Sequence, residues 1–410
     1  MMGIEMPLIS SVLARLPSET IQLAAFGGVV FPLALLVEAP VIMMLAASTA
    51  LCTNNQAYQV LKRFMVRLAI TMTLLHILFG FTPLFDTVLV PLLDIPGEII
   101  EPSRTGFRLM LPWTWAIADR RFNQGILIRF GKRRAVAVGT AVRLVATLTV
   151  LITGWLFQVE GASLAGSALG ISTMAEALYA RWQVSPVISG PLIDNPINDV
   201  VVQGADLWRF YFPLAMTPFI TLAMHPIGAA GIDRMPAAVT SLAVWTPISG
   251  LAFLCRSPGI AFNEVVIGYS GSPNSKPALR RFAIGAGLVS TIILAILSLP
   301  MNSALWFDGV IDLPSKLAKL GIANVWIAIP IPVMTFLQSY FQGIAVNAHQ
   351  TRMITESVAV YAMVMIAVIA IGIALQPPHG ITVVLIATAI GNLAQTLWLW
   401  YRCTSLGLEK

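Results

Sequence analysis

Apolar runs of membrane-spanning length recur along this chain from one end to the other. A helix needs about 20 apolar residues to cross the hydrocarbon core of a bilayer, and its backbone groups must find partners within the segment. Such runs confine the chain to a bundle of helices. They fall at 1–14, 21–51, 64–83, 105–128, 135–157, 161–181, 207–230, 236–256 with an extension to about 268, 281–301, 321–347, 353–375 and 380–401. The composition agrees, with 57% of the 410 residues hydrophobic and 11% charged, against about 25% charged in a soluble domain. These values exclude a soluble enzyme, a nucleic-acid-binding module and a disordered chain. The expectation is an all-α polytopic membrane protein with about 12 transmembrane helices. Cys52, Cys255 and Cys403 lie far apart and form no CxxC pair, so neither a disulfide framework nor a metal site is expected.

The net charge of +6 follows from the loops. One alternate set carries Lys62, Arg63 and Arg67, then Arg129, Lys132, Arg133 and Arg134, then Lys276, Arg280 and Arg281, and finally Arg352, Arg402 and Lys410. The opposite set holds Asp86, Asp94, Glu98, Glu101, Glu160, Asp308 and Asp312 with fewer cations. Basic loops stay on the cytoplasmic side. Both termini are therefore expected in the cytoplasm, in a chain integral to the cytoplasmic (inner) membrane.

The sequence repeats itself. Arg15-Leu16-Pro17 returns as Arg234-Met235-Pro236 at an offset of 219, and Leu61-Lys62-Arg63-Phe64 as Leu279-Arg280-Arg281-Phe282 at 218. Asp94-Ile95-Pro96 matches Asp312-Leu313-Pro314, Pro112 matches Pro330, and Gln124-Gly125 matches Gln342-Gly343. Six helices make one unit, so both copies enter the membrane in the same direction, as in parallel transporter repeats. The expected organisation is a six-helix lobe over 1–182, a linker over 183–205, a second lobe over 206–402 and a tail over 403–410. Residue 1 aligns with Ile220, so Asp206 to Phe219 have no counterpart in the first copy. The first helix is accordingly expected to be truncated.

No phosphate-binding loop is present: Gly125 and Gly131-Lys132 are one residue too far apart, and Arg133 stands where Ser or Thr should ligate magnesium. HExxH, GxSxG and channel-filter signatures are also missing. Secondary transport remains, with no cofactor beyond a coupling proton or sodium ion. Charges inside spans cost at least about 2.5–3.5 kcal/mol near the bilayer centre and mark candidate sites. Glu38 and its repeat counterpart Arg256 each precede a matched proline by two residues and are expected to meet, unless each pairs locally. Glu5 lies in the first helix, Arg143 in the fifth aligns with Tyr361, and Glu176 in the sixth matches Gln395. Gln124, Gln342, Asn347 and Asn392 suit an aqueous lining or helix-to-helix hydrogen bonds. Glu264 is expected at an interface, Glu356 beside Arg352 in a surface pair, and His76 and His225 in satisfied core positions.

The six-plus-six repeat, the Arg-Leu-Pro and Arg-Met-Pro turns, and the stretch FNQGILIRFGKRRAVAVGTAVRL resemble the multidrug and toxic compound extrusion family of the multidrug/oligosaccharidyl-lipid/polysaccharide exporter superfamily. Within it, FYFPLAMTPFI and IPIPVMTFLQSYFQGIAVNAHQTRMITESVAVYAMVM are similar to the progressive ankylosis protein branch. The resemblance implies two lobes around a central cleft, alternating access, and efflux of a small-molecule substrate against a proton or sodium gradient. The runner-up it implies is a flippase for lipid-linked saccharide. An acidic residue of the first helix couples the cation in many members, and Glu5 is the nearest match, as glutamate rather than aspartate. The expected partners are the substrate and membrane lipid, with no nucleic acid, and the expected assembly is a monomer.

Overall fold

The structure, a computed structural model, describes residues 2–194, 204–270, 275–348, 350 and 352–408, and all regular structure in them is helical. The principal helices are α1 (Met2–Leu13), α2 (Glu19–Glu38), α3 (Met44–Leu51), α4 (Asn55–Phe81), α5 (Ile100–Leu109), α6 (Leu111–Arg129), α7 (Arg133–Leu156) and α8 (Gly161–Ile188). They continue as α9 (Ala205–Asp233), α10 (Ala238–Tyr269), α11 (Ser275–Leu297), α12 (Ser315–Asn324), α13 (Ile331–Asn347), α14 (Arg352–Leu375) and α15 (Gly380–Ser405).

Every expected span coincides with a helix or a broken helix, and the breaks follow proline. The run over 21–51 divides at residues 39–43, around Pro40, into α2 and α3. Proline cannot donate to the ladder and clashes with the carbonyl four residues back. Ahead of Pro32, the segment Ala25–Val30 widens into a π-helix, which accommodates the same clash inside α2. Likewise the run over 105–128 divides at Met110, before Pro112, and the run over 321–347 divides before Pro330. Pro258, the counterpart of Pro40, stays inside an unbroken α10.

Nine helices among the described residues are long and apolar enough to cross a membrane. α6 is not one of them, because Asp119, Arg120 and Arg121 interrupt it at mid-length. α8, rich in Gly, Ala and Ser, is not one either. These two helices carry the polar site described below.

The chain forms two compact units. The first comprises residues 1–5 with 16–226, and in it α8 packs along α5, α6 and α7. Small residues allow the close approach: a Cβ on Gly106 of α5 would stand 2.8 Å from the Ala162 carbonyl oxygen of α8. Outer faces are apolar, with Leu74, Val145, Ile152 and Leu156 exposed, as lipid contact requires. The second unit comprises residues 6–15 with 227–410. Here α13 packs against α10, α11 and α15, and α14 lies along α15. Phe262, Phe336, Tyr340 and Phe341 form part of its core.

The repeat is also visible in the backbone. Among the described residues six non-glycine positions have positive φ: Ser18, Asp94, Gln158, Ala237, Asp312 and Gln376. They are three pairs, separated by 219, 218 and 218 residues. Left-handed backbone costs an ordinary residue about 1–2 kcal/mol; Ser18 and Ala237 cap the start of a helix, and Asp94 and Gln158 follow the end of one. After Asp94 the Ile95 N–H donates to the Val90 carbonyl at 3.0 Å, and after Gln158 the Val159 N–H donates to the Gly154 carbonyl at 2.9 Å. Both are the six-residue closure of a Schellman cap.

Candidate functional site

The inner faces of α6, α7 and α8 in the first unit bring together charges scattered through the sequence. Residues four apart share a helix face, and α6 uses that spacing to present Arg120 and Gln124 to one carboxylate. Arg120 Nη1 donates to Glu176 Oε2 at 2.6 Å, and Gln124 Nε2 donates to Glu176 Oε1 at 2.9 Å. Glu176 is wholly excluded from solvent, and Arg120 is 1% exposed.

α7 repeats the device with Arg143 and Thr147. Arg143 Nε donates to Glu5 Oε1 at 3.0 Å and its Nη2 donates to Glu5 Oε2, so the guanidinium grips both carboxylate oxygens. The Thr147 hydroxyl lies 3.0 Å from Glu5 Oε1 and 3.0 Å from the Arg143 carbonyl oxygen, and its one proton serves one of them at a time. The remaining terminal nitrogen of Arg143, Nη1, stands 3.8 Å from Glu176 Oε2. Glu5, Arg143, Glu176 and Arg120 thus form one continuous buried network with two negative and two positive charges. A charge left alone in such a place is prohibitively costly, whereas a matched set with its hydrogen bonds filled is tolerated.

Two further pairs flank the network. Arg121 Nη2 lies 3.7 Å from Glu38 Oε1 at the end of α2, and Arg181 Nη2 donates to Asp119 Oδ1 at 2.8 Å. Glu38 also lies within electrostatic reach of Arg143. The Nε atoms of Arg120 and Arg121 are buried without an acceptor.

The second unit builds the same place from neutral groups. Gln338, 218 residues beyond Arg120, donates through Nε2 to Thr396 Oγ1 and to the Asn392 carbonyl, both at 3.1 Å. Gln395 replaces Glu176 and is buried, and Gln342, the partner of Gln124 in the repeat, is half-buried. Tyr361 stands in place of Arg143, hydrogen-bonded to Thr388. Arg256, in place of Glu38, makes no ion pair among the described residues, and its Nε is buried without a partner. The side chains of Asn347 and Glu264 lie outside the described residues.

The structure therefore gathers Glu5, Arg143, Glu176 and Gln124 at one place. It pairs Glu38 locally with Arg121, one of the two arrangements that the sequence left open. Glu356 receives both Arg352 and Arg402, at 3.2 and 3.1 Å. His76 is satisfied at both ring nitrogens: Nε2 lies 2.7 Å from the Phe107 carbonyl oxygen and Nδ1 lies 2.7 Å from Thr114 Oγ1. A carbonyl only accepts, so the neutral tautomer with its proton on Nε2 fits both contacts. Sequence reasoning missed Asp119, Arg120 and Arg121. The available signal was three consecutive charges at the middle of a span, one turn before a glutamine that the repeat duplicates.

No protein-family model and no curated protein matches the sequence. Solved structures match the fold. A multidrug resistance MATE family transporter of the MOP superfamily, in its inward-facing conformation, matches with a TM-score of 0.75 at 15% identity, covering 99% of this chain and 95% of that one. The lipid II flippase MurJ, in an inward closed conformation, gives 0.71 at 13% identity, covering 98% of this chain and 86% of that one. A MOP superfamily transporter from Pyrococcus furiosus gives 0.62 at 15% identity, over 100% of this chain and 95% of its own. This chain is an integral multi-pass membrane protein with the fold that those transporters share.

Proposed function

We propose that this protein is a secondary active efflux transporter that works by alternating access, exporting a small organic solute in exchange for protons or sodium. The observation that carries the reading is the buried, charge-balanced network of Glu5, Arg143, Glu176 and Arg120 on a transporter fold. A purely structural core has no need of four ionised groups, whose replacement by apolar residues is often neutral or stabilising. Groups that exchange partners give a transported ion a means to favour one of two conformations. The setting proposed is the cytoplasmic membrane, with both termini inside and a monomer as the working unit.

Counterflow in proteoliposomes, with a panel of small cations and anions and with sodium and proton gradients imposed separately, tests this reading. Gradient-driven accumulation of at least one solute is expected, together with its loss in Glu176→Gln. No response to either gradient across the panel would exclude the reading. The likeness of the second half to the progressive ankylosis branch places organic anions, such as phosphate esters and carboxylates, on that panel.

A second reading, flipping of a lipid-linked saccharide, is favoured by Arg256, a span cation without an ion-pair partner among the described residues. It predicts transbilayer movement of a fluorescent lipid-linked saccharide and no counterflow of soluble solutes.

A further inference from the structure

Glu5 is held in a manner that bears directly on how an ion can act here. Both of its oxygens are occupied by one guanidinium, through Arg143 Nε and Nη2, and Thr147 adds a hydroxyl to Oε1. A free sodium ion needs those same oxygens, and a proton needs one of them without the positive charge beside it. Neither can bind while Arg143 stays. The same Arg143 has a second carboxylate within reach, since Nη1 is 3.8 Å from Glu176 Oε2. Glu176 already has Arg120 and Gln124 as partners, so it is neutralised without Arg143.

We infer that Arg143 is a tethered competitor of the exchanged cation: it stands in the cation position at Glu5, and the site opens to a free ion only when this guanidinium moves toward Glu176. The inference deepens the transporter reading and rests on it for its physiological meaning. The binding competition itself requires no transport. Arg143 is here a positioning residue, and its effect is on the availability of Glu5. The charged and titratable groups that face this place are Arg143 on α7, Glu176 on α8, Arg120 on α6 and, through Arg143, Glu38 on α2.

The test is the unfolding temperature of the purified full chain, measured in sodium against choline and at neutral against mildly acidic pH. The wild type is expected to show no sodium response. Arg143→Gln leaves Glu5 without its cation, and sodium or mild acid should then raise the unfolding temperature by ~2–4 °C, the response to ligand binding worth about 1 kcal/mol. Glu5→Gln/Arg143→Gln should lose that gain, which separates Glu5 from Glu176, Glu38 and other titrating carboxylates. Arg143→Lys keeps a charge but not the two-oxygen grip, and should show a smaller gain. It serves as the test if Arg143→Gln does not fold. The inference is overturned if folded Arg143→Gln or Arg143→Lys responds to neither sodium nor acid. It is equally overturned if the wild type is stabilised by sodium and Glu5→Gln alone removes the effect. A protein that shows the gained response and fails in counterflow would retain this site and lose the transporter reading.

Discussion

Glu176 is wholly buried, and the order in which its partners matter follows from their chemistry. Arg120 supplies a charged hydrogen bond at 2.6 Å, Gln124 a neutral one at 2.9 Å, and Arg143 only an approach to 3.8 Å. Arg120→Gln leaves a buried carboxylate short of its counter-charge and should lower stability by about 3–5 kcal/mol. Gln124→Ala should cost less, about 1–3 kcal/mol for one lost partner. Chemical or thermal unfolding of the purified variants orders the two, and Arg120→Gln/Glu176→Gln should recover much of the loss. His76 offers an independent check. Its Nδ1 accepts from the Thr114 hydroxyl, so His76→Phe leaves that buried hydroxyl without its acceptor and should destabilise by about 1–3 kcal/mol, the Phe107 carbonyl keeping the Met110 N–H as donor. At this scale the sequence was readable in part. Glu5, Arg143, Glu176 and Gln124 stood out as polar groups in apolar runs. Arg120 did not, because it stands in a run of three mid-span charges and nothing local marks which of them faces a partner. Its partner Glu176 lies 56 residues away, a distance that helical periodicity cannot bridge.

Among the helices, the repeat was legible because proline and loop charges are local signals. The breaks at Pro40, Pro112 and Pro330 follow from the missing N–H, a property that proline carries on its own. The continuity of α10 through Pro258 was not legible, since only packing by neighbours decides whether a freed carbonyl is satisfied. The paired left-handed positions give a sharper test than either. Gln158 and Gln376 occupy the same place in the two copies, with φ of 53° and 46°. Glycine relieves the left-handed strain at the expense of chain entropy, so Gln158→Gly and Gln376→Gly should each stabilise by about 0.5–1 kcal/mol. Opposite signs for the two in unfolding measurements would show that the caps are not equivalent. The contact between α5 and α8 behaves differently. Gly106→Ala places a methyl 2.8 Å from the Ala162 carbonyl oxygen and 3.0 Å from a Val30 methyl. Overpacking of that kind costs about 1–3 kcal/mol.

For the whole chain, the parallel repeat and the basic loops make one topological statement that side-chain labelling can check. Asp94 and Asp312 are equivalent turn residues on the acidic side, and Arg133 and Arg281 lie on the basic side. Cysteines introduced at Asp94 and Asp312 should react with a membrane-impermeant thiol reagent in intact cells, while those at Arg133 and Arg281 should react only after permeabilisation. The three native cysteines are buried and give a low background. Labelling of Asp94 and Asp312 from opposite sides would contradict a parallel repeat. Composition pointed to a membrane and the offset to a duplicated unit with Arg143 against Tyr361 and Glu176 against Gln395, but neither could show that the charges of one copy meet. Their meeting emerges only when helices distant in sequence face each other.

The imbalance of charge between the copies carries a lesson about how duplicated folds diverge. Both copies share the costly backbone turns while their interior side chains differ, so the backbone repeats where the chemistry does not. Gln338 and Gln395 occupy the addresses of Arg120 and Glu176. Grafting the missing ions there, with Gln338→Arg and Gln395→Glu together, should give a folded protein, while Gln338→Arg alone should be recovered in far lower yield. The neutral copy is thus a ready recipient for the charged copy's chemistry, and a molecule with two such centres would show how much of the work one centre already does.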